Sequence, residues 1–151
     1  MRILRLHLQN VHALRNQWTI QFDQFPLYEA GLFAITGPTG GGKSGLLDAM
    51  IVALYGRVPR YGHNTPTELM TRHTAETLIE LDFAVQQGCF RARWNLRRAR
   101  GQATGRVQPA RHELQNLDTN QTLDLRSSDV PKEVEKLCLL YTSPSPRDQS
   151  G

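Results

Sequence analysis

The sequence is short of cysteine and has no long apolar run, and each shortage removes a class of protein. Two cysteines in 151 residues, Cys89 and Cys138, stand in no ligand spacing. Neither a disulfide framework nor a zinc site is therefore expected to organise the chain, and a reducing compartment fits it. No apolar run reaches the roughly 18 residues of a membrane span. The N-terminus alternates apolar and polar residues and lacks the apolar core of a secretion signal. A cytoplasmic protein with no membrane partner is the expectation. Internal repeats are absent, and so is any heptad stretch for a coiled coil. Charge is not extreme: 21% of residues are charged and 39% hydrophobic, values ordinary for one globular domain with a core of its own. The formal net charge of +4 leans toward anionic partners such as nucleotide or nucleic acid. Arg far outnumbers Lys, so an arginine-rich genome is an equally plain source of that charge.

What is present reads as strands, one long helix, then more strands. "RILRLHLQN" alternates, with Leu4, Leu6 and Leu8 on one face, and "QWTIQF" alternates with Trp18, Ile20 and Phe22 on one face. The polar "NVHALRN" between them reads as a hairpin turn or short loop. "GLFAITG" carries the continuous apolar run Leu32–Ile35 of a strand buried on both faces. "KSGLLDAMIVALYG" places Leu46, Leu47, Met50, Ile51, Ala53 and Leu54 at helical spacing, with Gly56 as terminator. Residues 57–70 hold Pro59, Gly62, Asn64 and Pro66 and read as a loop. "TLIELDFAV" turns Ile79, Leu81, Phe83 and Val85 away from Glu80 and Asp82. "GCFRARWNLRRARG" sets Phe90, Ala92, Trp94 and Leu96 opposite Arg91, Arg93 and Arg97. "VPKEVEKL" starts a helix with Pro131 at its first position.

The segment richest in chemistry is "GPTGGGKS". It fits G-x-x-x-x-G-K-[ST] with Gly37, Gly42, Lys43 and Ser44 at the fixed positions. Glycines let the backbone wrap closely around phosphate oxygens with successive N–H groups pointing inward. The helix that follows offers its N-terminal N–H groups and dipole to the same anion. Lys43 would reach the β- and γ-phosphates, and the Ser44 hydroxyl would ligate Mg²⁺. The competing reading is a glycine-rich turn with no ligand. The buried strand before it and the apolar-periodic helix after it are the context that a phosphate loop requires. The candidate nucleotide-binding residues are therefore Gly37, Pro38, Thr39, Gly40, Gly41, Gly42, Lys43 and Ser44, with ATP and Mg²⁺ as ligands. Gly45, inside the first helical turn, weakens the helix by up to about 1 kcal/mol relative to Ala.

"MRILRLHLQN", "GLFAITGPTGGGKSGLLDAM", "ALYGRVPR", "ELMTRHTAETLIELDF" and "FRARWNLRRARG" together resemble the SbcC family, the ATPase subunits of bacterial SbcCD nucleases among the SMC-like ATPases. The resemblance runs from Met1 to about Leu137. Its most specific part is the combination of "ITGPTGGGKS" with "MTRHTAE". It implies an α/β fold: the N-terminal half of an ABC-type P-loop ATPase head, with a mixed sheet, one P-loop helix and an antiparallel β-layer. It implies a C-terminal half-head and a second head beyond a long coiled coil, an SbcD-like metallonuclease subunit as partner, and double-stranded DNA ends or hairpins as substrate. By the same resemblance His12 stands on the adenine side, and Thr71 and Arg72 approach the phosphates. Relatives usually carry Ser or Thr where this chain has Gly45.

Other parts of the family pattern do not occur in these 151 residues: no Walker B acidic pair, no "SGG" signature, no switch histidine in context. "CLLYTSPSPRDQSG" resembles translated sequencing-adapter read-through. The expected organisation is a P-loop half-head over residues 1–140 and a disordered or foreign tail over 141–151. Residues 90–111 carry seven arginines and no acid, which reads either as a basic hairpin for DNA phosphates or as a solvated strand face. Asp48 either helps order the site or lies on the surface as a capping residue. His73 reads as a nucleotide sensor or as a structural hydrogen-bonding residue. Trp18 and Trp94 are expected in the core, and Cys89 in a turn. ATP and Mg²⁺ binding in the service of DNA-end processing is the leading reading. A non-catalytic nucleotide- or DNA-binding module and an ABC transporter ATPase are the alternatives.

Overall fold

Alternation of apolar and polar side chains puts one face of a strand against a core and leaves the other to water, and most of this chain folds on that rule. The computed structural model describes residues 1–12, 14–22, 43–59, 61–62 and 65–141. The apolar run at 32–35, the glycine loop at 37–42 and the segment from 142 onward lie outside the described residues. Strands β1 (Arg2–Val11), β2 (Leu14–Gln21), β3 (Glu76–Val85), β4 (Gly88–Arg97), β5 (Arg111–Asn116) and β6 (Gln121–Thr122) form one sheet. Their order is β2-β1-β3-β4-β5-β6, with every neighbouring pair antiparallel. This is the expected antiparallel β-layer. The mixed character expected of the sheet turns on the run at 32–35.

Register aligns the apolar residues into rows. Leu6 pairs with Leu81 and Leu8 with Ile79. Ile79 pairs in turn with Trp94, which lies opposite His112 on β5. Leu6, Leu8, Ile79, Leu81, Phe83 and Leu114 are fully buried, and Trp94 is 2% exposed. Two helices cover this inner face: α1 (Lys43–Tyr55) and α3 (Val130–Tyr141). The first presents Ala49, Val52, Ala53 and Leu54; the second presents Val130, Val134 and Leu137, an i, i+4, i+7 stripe. The C-terminus of α1 ends as its sequence requires. Gly56 takes φ +78°, and its N–H bonds to the Val52 carbonyl at 2.8 Å.

Several expectations change. Trp18 faces the inner side opposite Leu8 but is 51% exposed, and β2 is the edge strand among the described residues; its indole N–H donates to the Arg15 carbonyl at 2.7 Å. Leu4 is only half-buried, beside a register shift between Ile3 and Arg5. Leu47 is 47% exposed: α1 is apolar nearly all round, so spacing alone does not select its packed face. Residues 57–70 contain a short helix, α2 (Thr65–Leu69), where Thr65 sits buried and its hydroxyl donates to the Gly62 carbonyl at 2.8 Å. Cys89 lies in β4, not a turn.

His112 ties sheet to helix. Its side chain is buried, and Nε2–H donates to the Ala53 carbonyl at 2.7 Å near the end of α1. Burial pushes its pKa down, against the opposing pull of that backbone hydrogen bond. His7 on the outer face is also lowered, by burial first and by Arg5 next. A histidine whose folded pKa lies below its unfolded value, about 6.5, contributes full stability above that pH and loses it as pH falls, because the unfolded chain takes the proton first. The midpoint of urea unfolding should therefore drop between about pH 6.5 and 5.5, at most about 1.4 kcal/mol per pH unit for each histidine. The slope should be shallower in His112→Gln; an identical slope would remove His112 as a source.

Candidate functional site

The phosphate-loop pattern closes on Lys43 and Ser44, and α1 begins at Lys43. Its first turn carries no acidic residue. The start of a thirteen-residue helix presents N–H groups and a positive dipole end suited to an anion, and no acidic side chain of that turn offsets them. Gly37, Pro38, Thr39, Gly40, Gly41 and Gly42, and the side chains of Lys43 and Ser44, lie outside the described residues.

On the flank of that first turn stands the β1–β2 connection. His12, at φ +50°, rests against Gly45: a β-carbon built there would meet the His12 Cβ and Cδ2 at 3.7 Å and the Leu14 Cδ1 at 3.6 Å. These are ordinary contacts, so sterics do not demand glycine. Gly45→Ala should raise stability by roughly 0.5–1 kcal/mol by favouring the helix and restricting the unfolded chain. A lower urea midpoint in the variant would show that the turn is tighter than these distances allow.

His12 is held from four directions. Its N–H donates to the Leu69 carbonyl at 2.8 Å. Its carbonyl accepts from the Thr71 hydroxyl at 2.7 Å. Its Nε2 meets the Asp48 carboxylate at 2.9 Å. The Tyr61 ring packs edge-on to it at 5.9 Å between centroids. Tyr61 also donates its hydroxyl to the same Asp48 Oδ2 at 3.2 Å. Asp48 is 2% exposed, a correction to its reading as a surface or capping residue. A buried carboxylate costs several kcal/mol unless donors meet it, and His12 and Tyr61 are such donors.

Thr71 is buried, with its N–H on the Asn10 carbonyl at 3.1 Å. The structure thus brings His12 and Thr71 together beside α1. Arg72 is exposed, and its carbonyl accepts from the Arg15 guanidinium at 3.1 Å. His73 is exposed with φ +62°. Tyr61 is the member of the cluster that the sequence did not disclose. Asp48 carried one sequence signal, a carboxylate embedded in an otherwise apolar helix, which left it open between ordering the site and capping.

The arginine-rich face resolves into ion pairs. Arg91 holds Asp82 through two hydrogen bonds, at 2.7 and 3.0 Å. Arg97 reaches Glu76 at 3.0 Å, and Arg93 reaches Glu80 at 3.5 Å. Three of the seven arginines are thus matched by acids of β3, directly across the strand pair. This favours the solvated-face reading, since paired guanidiniums release fewer counterions to DNA. No helix among the described residues is long and apolar enough to cross a membrane.

A family model described as an AAA domain matches residues 5–143. The SbcC component of the nuclease SbcCD from Pseudomonas aeruginosa is 40% identical to this chain, over 90% of the chain and 13% of the relative. Its namesake from Rhodobacter capsulatus is 36% identical, over 91% of the chain and 12% of the relative. The chain thus spans about an eighth of the length of these curated relatives. Among solved structures, the SMC head domain from Thermotoga maritima aligns with a TM-score of 0.53 at 17% identity, covering 88% of this chain and 42% of that one. At that identity the likeness is one of fold.

Proposed function

Because this chain belongs to the AAA domain family and is SbcC-like in sequence, we propose that it grips ATP and Mg²⁺ for an ATPase subunit that acts with a nuclease on DNA. The observation that carries the reading is the coincidence of "GPTGGGKS" with the start of α1, whose first turn is free of acid. Residues 1–140 are the N-terminal half of the head. The backbone from Gly37 to Gly42 cradles the phosphates, Lys43 meets the β- and γ-phosphates, and Ser44 holds Mg²⁺. The metal neutralises charge on the bound phosphates. His12 lies on the adenine side, and Thr71 and Arg72 lie toward the phosphates. Thr71 supports the turn through the His12 carbonyl. The C-terminal half-head and a second head complete the pocket. An SbcD-like metallonuclease is the partner, double-stranded DNA ends or hairpins are the substrate, and the cytoplasm is the compartment.

Titration calorimetry tests the grip. ATP with Mg²⁺ should bind weakly to this chain, since only one side of the pocket is local, and Lys43→Ala should abolish the binding. Equal heats for the two proteins would refute the assignment.

A further inference from the structure

A triphosphate seated at the N-terminus of α1 must lead its nucleoside off the helix axis along one flank. The described flank of the first turns is closed by His12, which touches the Gly45 position at 3.7 Å and Asp48, three residues further along the helix, at 2.9 Å. We infer that Asp48 and Tyr61 are positioning residues that hold the His12 imidazole as the wall met by the nucleoside of a bound nucleotide. The inference rests on the phosphate-site reading above and adds to it the two side chains that act through His12.

The chemistry of the cluster supports this division of labour. An ionised carboxylate only accepts hydrogen bonds. Asp48 Oδ2 takes one from His12 Nε2 and one from the Tyr61 hydroxyl, so Nε2 is the proton-bearing nitrogen and the ring is locked in one orientation. Among the described residues both side-chain hydrogen bonds of His12 are made at Nε2. The burial of Asp48, 2% exposed, keeps water from competing for its oxygens and strengthens both hydrogen bonds. Backbone bonds to Leu69 and Thr71 fix the turn itself. The carboxylate is thus left to set the side chain's direction, which is what distinguishes positioning from simple support of the fold.

Two probes separate the roles: ATP and inorganic tripolyphosphate, each with Mg²⁺, titrated into the 151-residue chain. Asp48→Asn and Tyr61→Phe should each weaken ATP roughly five- to tenfold, the size of one lost hydrogen bond. Tripolyphosphate, which has no nucleoside, should bind as before. His12→Ala should show the same selective loss, and adding Asp48→Asn to it should cost little more, since both remove one interaction. Tyr61→Phe deletes a single hydroxyl from a half-buried ring, so the test survives a poorly folded Asp48 variant. Parallel losses for both probes would make the cluster a prop for α1 and overturn the inference, as would unchanged ATP affinity in the variants. Wild-type binding of tripolyphosphate as tight as that of ATP would overturn it too, while leaving the phosphate site standing. Binding of neither probe would overturn the phosphate site and the inference together.

Discussion

ATP turnover by this chain alone should sit at background, and should rise by roughly a thousandfold or more when the C-terminal part of an SbcC relative is supplied in trans. Phosphoryl transfer to water needs a metal held from two sides, a group that orients the attacking water, and stabilisation of charge in the transition state. On the proposed reading, the segment from Gly37 to Ser44 would offer one side of that arrangement. Positioning and electrostatic contributions of this kind are each worth several kcal/mol of barrier, so their arrival together changes the rate by orders of magnitude. The restored activity should vanish in Lys43→Ala. A coupled phosphate-release assay decides: Lys43-dependent hydrolysis by the 151-residue chain by itself would favour a small self-contained P-loop enzyme instead.

Trp94→Ala should cost about 3–5 kcal/mol, much or most of the stability of an ordinary domain. The indole is 2% exposed on the inner face, paired across β3 with Ile79 and across β5 with His112. Its removal opens a cavity among backbone-paired neighbours that have little freedom to collapse into it. Urea unfolding followed by far-ultraviolet circular dichroism would show a large fall in midpoint. Trp18→Ala should shift it little, since that ring is 51% exposed. Equal shifts for the two would contradict the burial difference between them.

The contrast between these tryptophans marks how far the sequence could be read. Alternation told correctly which way most strand side chains point, because a strand's period is fixed by its backbone, and it failed at the register shift where Ile3, not Leu4, pairs with Phe83. It could not tell how deeply that point is covered, and β2 is the edge strand among the described residues. The same limit applies to α1. Its glycine stop was legible, since it rests on local backbone chemistry. The packed face of a helix that is apolar all round was not. Asp48 was left with two readings for a related reason: its partners His12 and Tyr61 are distant in sequence, and a lone carboxylate in a helix is ordinarily solvated. His112 left a faint local sign, the alternation of His112 and Leu114 inward with Arg111 and Glu113 outward in "RHEL", in a stretch too short and polar to stand out as a strand.

The order of the sheet also dictates how it can assemble. Strands β3 and β4 are joined by the two-residue turn Gln86–Gln87 and pair along their whole lengths, from Val85 with Gly88 to Glu76 with Arg97. Such a hairpin closes a minimal loop and is a low-cost nucleus. The central seam is the opposite case. Arg2 pairs with Ala84 and Gln9 with Leu78, and all of α1 and α2 lies between them in sequence. Contacts of that separation raise the contact order and slow folding, because loop-closure entropy must be met before the seam gains anything. On a ribosome, β1 and β2 emerge first and wait as a hairpin whose inner edge has no neighbour until β3 follows. The turn that carries His12 belongs to that early hairpin, and its bonds to Leu69 and Thr71 wait on the chain that follows.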